Sequence, residues 1–223
     1  MEKPLYPSPY MRITQGYGVG THKNSFAIDD GGSDSGIDFI LAPFTGVIKK
    51  IYPNDANEVW LESVDKVEYP DGTIDYMTML FAHDNDVSNL KVGQVIPRGT
   101  RFYEEGTKGN VTGNHVHMEC GKGKFTGSGW HKNESGYWSI NNPKNPVDCL
   151  WIDDSIKVLN SNGYTFKKIE SIKEETKKEE TKKEEVTDNQ NNTSTRKIEL
   201  VFTCKENGLY AIELKENEKL YIE

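Results

Sequence analysis

Residues 115–119 read His-Val-His-Met-Glu, and the reading of this run decides how the rest of the chain is understood. The run is β-prone and continues to Cys120, so a strand is predicted over Val116–Cys120. Side chains two positions apart on a strand share a face. His115 and His117 would therefore point the same way, where they can meet one metal ion and one substrate. Glu119 falls on that face too, either as a base or as a carboxylate that orients an imidazole.

Working outward, residues 10–150 are rich in Gly, Thr, Tyr and Val, with short apolar runs separated by turn signals such as DDGG at 29–32 and PDG at 70–72. Further strands are predicted at Phe39–Leu41, Gly46–Tyr52, Val59–Val64 and Tyr76–Ala82. The segment YPDGTIDY reads as a hairpin tip, because Asp-Gly supplies the positive φ that a tight hairpin needs. The expected fold is mainly β. Apolar residues from Leu150 to Phe166 keep the first domain running to 169.

The composition then breaks. EETKK occurs twice over 174–183, and TDNQNNTST follows, so residues 170–195 read as a charged and polar linker. KIELVFTC, GLYAIEL and KLYIE form a small β module at 196–223, too short to bury a core by itself. Self-association through its strand edges, or binding to a cell wall, is the expected source of the missing burial.

The 223 residues carry a formal charge of −8 with a pI near 5.3. Such a chain lacks the clustered Lys and Arg that displace counterions from nucleic acid, and that class is set aside. No run reaches the roughly 20 apolar residues of a membrane span, and the first residues do not read as a signal peptide. Synthesis in the cytoplasm without membrane insertion is expected. Cys120, Cys149 and Cys204 are odd in number and widely spaced, which reads as buried thiols rather than a disulfide framework.

Four of the five histidines lie in informative settings. THKNSFAIDD places His22 seven positions before Asp29, and LFAHDND places His83 at the end of a predicted strand. Imidazoles and a carboxylate are ordinary zinc ligands, and a set of three protein ligands leaves a position open for catalysis. Together with HVHME, these residues resemble the lysostaphin-like zinc endopeptidases, whose signature is a His with a downstream Asp, a separate His after a strand, and a closing His-x-His. ILAPFTGVIKKIY at 40–52 and LKVGQVIPRGTRFYEEGTKGNVTGNHVHME at 90–119 are similar to that family's surrounding segments, so the likeness runs over roughly residues 12–150.

The resemblance implies an antiparallel-sheet peptidase domain, with His22, Asp29 and His117 holding Zn2+ and with His83 and His115 as unligated catalytic histidines. It does not divide the roles of base and oxyanion donor between those two. Six residues separate His22 from Asp29, against three in the commonest form of the family, and the Ala27-Ile28-Asp29 ending resembles phage lytic variants. Asp30 and Asp38, the latter in DSGID, compete for the carboxylate role. The implied activity is hydrolysis of peptide bonds in the stem or cross-bridge of peptidoglycan, as by a phage endolysin released through a holin. A non-catalytic wall-binding or morphogenesis protein on a degenerate peptidase fold is the alternative. His131 reads as a solvated loop residue. Trp130, Tyr137 and Trp138 are expected in the core rather than along a groove, and Tyr17 is a candidate oxyanion donor.

Overall fold

The computed structural model describes residues 1–53 and 56–170. The linker beyond Glu170, the C-terminal β module and Cys204 lie outside the described residues, and so does the oligomerisation assigned to that module. Among the described residues there is no α-helix, and no helix is long and apolar enough to cross a membrane.

The chain begins with β1 (Tyr10–Gln15), a 3-10 turn at Gly20–His22, β2 (Ile28–Asp30), β3 (Phe39–Leu41) and β4 (Gly46–Tyr52). Then come β5 (Glu58–Ser63), the short pair β6 (Val67–Glu68) and β7 (Ile74–Asp75), β8 (Met77–Ala82), β9 (Val95–Ile96) and β10 (Arg101–Glu104). The remainder is β11 (Val116–Lys122), β12 (Trp130–Lys132), β13 (Trp138–Ile140), β14 (Pro143–Lys144), a 3-10 turn at Pro146–Asp148, β15 (Trp151–Ile152), β16 (Lys157–Asn160) and β17 (Lys167–Lys168). One large sheet runs β16-β1-β2-β11-β8-β5-β4-β9, with β14 also paired to β11. Its pairings are antiparallel except for the edge pair β1 and β16.

The predicted strands over 39–41 and 46–52 occur as expected, and β5, β8 and β11 differ from their predicted ends by one or two residues. The hairpin tip forms between β6 and β7, with Gly72 at φ +86. β5 and β8 lie inside the sheet and are buried on both faces, so MTMLFA is apolar at every position but Thr78 rather than alternating. One face carries Val59, Leu61, Met77, Met79, Phe81, Val116 and Met118 into the main core, where Phe44, Ile48 and Tyr103 join them. Each such fully buried aliphatic or Phe side chain contributes about 1.5–3 kcal/mol. Leu150 and Phe166 are in the same cluster, so the segment after 150 packs on this core. Cys120 and Cys149 are buried free thiols there.

The other face is smaller and carries Trp60, Leu80 and Ile140, with Phe125 and Trp130 against them. Strand alternation places Glu58, Trp60, Leu80, Ala82, His117, Glu119 and Asp29 on this side. The register agrees, since His117 lies opposite both Asp29 and Ala82, and Leu80 lies between Glu119 and Trp60.

Candidate metal and catalytic centre

Asp29 and His117 meet because β2 and β11 are hydrogen-bonded neighbours in that register. His117 Nδ1 is 3.0 Å from Asp29 Oδ1. His22 arrives from a separate direction. Gly18 and Gly20 take φ of +74 and +54, which lets the chain reverse into the 3-10 turn and drop His22 into a buried position. Its Nε2 is then 3.3 Å from Asp29 Oδ1. The ligand-type atoms of His22, Asp29 and His117 all lie within 4.8 Å of one another, so these three can hold one metal ion.

Backbone carbonyls assign the ring protons. A carbonyl oxygen only accepts, so the nitrogen facing it carries hydrogen. His22 Nδ1 donates to Gly16 O at 3.2 Å, His83 Nδ1 to Lys108 O at 2.7 Å, and His115 Nδ1 to Gly113 O at 2.9 Å. With hydrogen on Nδ1, each ring therefore turns its Nε2 away from its carbonyl. His117 is held the other way round. Its Nε2 donates to Glu119 Oε1 at 3.2 Å, leaving Nδ1 for the Asp29 side. Glu119 is itself fixed by Ser139 Oγ at 2.5 Å and by the Ile140 amide at 2.9 Å, both on Oε2.

His83 reaches the centre through backbone strain. It follows β8 at φ +91, a region non-glycine residues seldom occupy, and its amide donates to Ala56 O. Its ring centroid lies 4.7 Å from that of His115 and 5.8 Å from that of His117. His115 Nε2 is 3.8 Å from Asp29 Oδ1.

The electrostatics favour a cation. Burial alone would raise the Asp29 carboxyl, but the hydrogen bond and charge of His117 outweigh it and hold Asp29 well below the usual carboxylate range. Burial likewise opposes charge on His117, yet Asp29 and Glu119 on its two nitrogens push it up to about 10. In the metal-free chain the His117 proton supplies the positive charge that two buried carboxylates demand. His83 moves the opposite way, to about 4, through burial and the field of His117. It is neutral at pH 7.

Two cavities meet at this centre. One of about 400 Å³ is walled by Tyr52, Glu58, Leu80, Trp130 and Trp138. The other, of about 320 Å³, is lined by polar residues including Gln15, Thr21, Asn110 and Thr112. His83, His117, Glu119 and Trp138 border both, so the centre sits on a saddle that an extended ligand can cross.

All five residues expected at the centre, His22, Asp29, His83, His115 and His117, are brought together. The rivals are not. Asp30 points to the opposite face, where Oδ2 accepts from Tyr6 Oη and the Arg12 amide and Oδ1 from the Gly32 amide. Asp38 accepts from the Ser33 amide in the following loop. Tyr17 stacks on Tyr164 and accepts from Asn145 Nδ2, which is a packing role. His131 lies on β12 rather than in a loop. The three aromatics divide: Trp130 packs on Trp60, while Tyr137 and Trp138 are 55% and 58% exposed beside the cavities, because β13 is paired only with β12 and leaves that face uncovered. Ser139 and the Lys108 carbonyl carried no sequence signal, since each acts only by where the fold places it.

No protein-family model matches the chain. Solved structures similar in fold include a zinc-containing peptidase from Vibrio cholerae, at 19% identity and a TM-score of 0.41 over 54% of this chain and 37% of that one. The catalytic domain of the prophage-encoded M23 protein EnpA from Enterococcus faecalis gives 20% and 0.41 over 55% and 88%. The catalytic domain of the antimicrobial peptidase lysostaphin from Staphylococcus simulans gives 17% and 0.39 over 60% and 86%. The match thus spans little more than a third of the Vibrio cholerae chain. Likeness at this level assigns no activity.

Proposed function

We propose that this protein is a zinc-dependent endopeptidase that hydrolyses peptide bonds in the stem or cross-bridge of peptidoglycan, of the phage lytic kind that the long His22–Asp29 spacing resembles. The observation that carries the reading is the convergence of His22, Asp29 and His117 on one point, with the Nε2 lone pairs of His83 and His115 beside it on the saddle between two cavities. Two imidazole nitrogens and one carboxylate oxygen suit zinc, and three protein ligands leave a position free for catalysis. The donor set fits. His22 Nε2 and His117 Nδ1 carry the lone pairs once His117 gives up its extra proton, and Asp29 is already ionised.

Bound there, zinc would supply Lewis acidity, polarising a carbonyl and lowering the pKa of water toward about 7. The chain's own residues do the rest. Glu119 holds the His117 ring by Nε2 so that Nδ1 faces Asp29. His83 or His115, each tied to a carbonyl by Nδ1, accepts the water proton on Nε2 and then presents it as a donor to the oxyanion or the leaving amine. Trp138 and Tyr137 line the path of the substrate backbone.

The test is digestion of purified peptidoglycan with and without a strong chelator, followed by mass spectrometry of the soluble products. New amino and carboxyl ends that vanish with chelator and return with zinc are expected. Intact peptidoglycan after incubation with the zinc-loaded protein would remove this reading.

A further inference from the structure

Behind β2, on the face opposite the histidines, the Asp30–Asp38 loop meets the end of β10 in a second polar cluster. Glu105 is the residue after β10 and is fully buried. Its amide donates to Asp38 O at 2.9 Å, and its Oε2 accepts from the Asp38 amide at 3.3 Å. Glu105 Oε1 is also buried and has no hydrogen-bond partner among the described residues. It is aimed at the loop: a Cβ built on Gly32 would strike both Asp38 Oδ2 and Glu105 Oε1, the latter at 2.6 Å. Gly32 has φ +55, so glycine here serves both the turn and the close approach of two carboxylates.

Charge is unbalanced there. Asp30 and Asp38 bear on Glu105, and the cation that acts against them is Arg12, whose guanidinium donates to Ser33 O. Asp30 uses its oxygens on Tyr6, Arg12 and Gly32, so it contributes field rather than a free lone pair. Asp38 is only half-buried, and Ser33 to Ile37 lie toward solvent, which leaves an approach from outside.

We propose that Glu105 Oε1 and Asp38, with carbonyl oxygens of the Gly31–Ile37 loop, bind a hard divalent cation of the calcium class, separate from the histidine centre. Every donor is oxygen, which suits calcium or magnesium and disfavours zinc, and a Gly- and Ser-rich loop lying toward solvent suits the irregular coordination of calcium. Burial and the charges of Asp30 and Asp38 push the Glu105 carboxyl up to about 8, so the cation competes with a proton at this oxygen. Since the loop continues directly from β2, the ion would anchor the strand that carries Asp29.

The experiment uses the full-length zinc-loaded protein at pH 8, titrated with CaCl2 or MgCl2 while Tm is followed, together with Tb3+ luminescence sensitised by Tyr6. Saturable binding of one Tb3+ displaced by Ca2+, and a Tm rise of several degrees with Ca2+, are expected. Glu105→Gln and, independently, Asp38→Asn should each lose at least tenfold in Tb3+ affinity while keeping their zinc content. The proposal is overturned if wild type shows no Ca2+ effect, or if both folded variants respond like wild type. The first outcome would leave Glu105 as a proton-sharing partner of Asp38, and the second would place the ion elsewhere.

Discussion

Glu119 Oε1 accepts the Nε2 hydrogen of His117 at 3.2 Å, so the ring nitrogen turned toward Asp29 is Nδ1. Partners of this kind fix a ligand's tautomer and are worth about 10–100-fold in metal affinity. Glu119→Gln keeps the shape and removes the charge. Its zinc affinity, measured by competition with a chromogenic chelator, should fall within that range, and Ser139→Ala should fall less. Unchanged affinity in Glu119→Gln would mean that His117 is oriented by packing alone.

Wild type should carry about one zinc per chain by elemental analysis. His117→Ala should lose it, since two of the three donors remain. His83→Ala should retain zinc and yet lose peptidase activity by about a hundredfold or more. A metal-free His83→Ala would move that residue into the ligand set.

The pH dependence of the metal-free chain follows from His117. Its folded pKa is raised to about 10 from 6.5, so its contribution to stability is complete below about pH 6.5 and is lost as pH rises through about 10. Thermal melts of chelator-treated protein should therefore show Tm falling between pH 7 and 10, with a shallower fall in His117→Gln. In the zinc-loaded protein the proton has been displaced, so the slope should flatten.

His83 stays neutral down to about pH 4 because burial and His117 oppose its protonation. Activity lost on acidification from pH 7 to 5 should thus track zinc release, measured in parallel, rather than titration of His83. Activity falling while zinc stays bound would contradict this.

Trp138 is 58% exposed and borders both cavities, so Trp138→Ala should leave Tm within about a degree of wild type. Its KM for peptidoglycan fragments should rise about tenfold, or ~1.4 kcal/mol, the scale of one aromatic contact. An unaltered KM would place the substrate off this wall.

The sequence by itself determined the central strands and the histidine pairing on β11, because alternation along a strand is a local property: side chains at 115 and 117 share a face whatever surrounds them. Alternation also meant that only one of Asp29 and Asp30 could face the histidines, while the preference for Asp29 came from the resemblance. Local pattern could not show that His83 turns back over the sheet, because its positive φ is imposed by contacts with Ala56 and Lys108, far away in the chain. Nor could it show that Ser139 clamps Glu119 from 20 residues away, or that Glu105 is buried against Asp38, 67 positions earlier. The tertiary structure alone decided those relationships, because the lone pairs that remain free depend on which distant donors the fold brings against each oxygen and nitrogen.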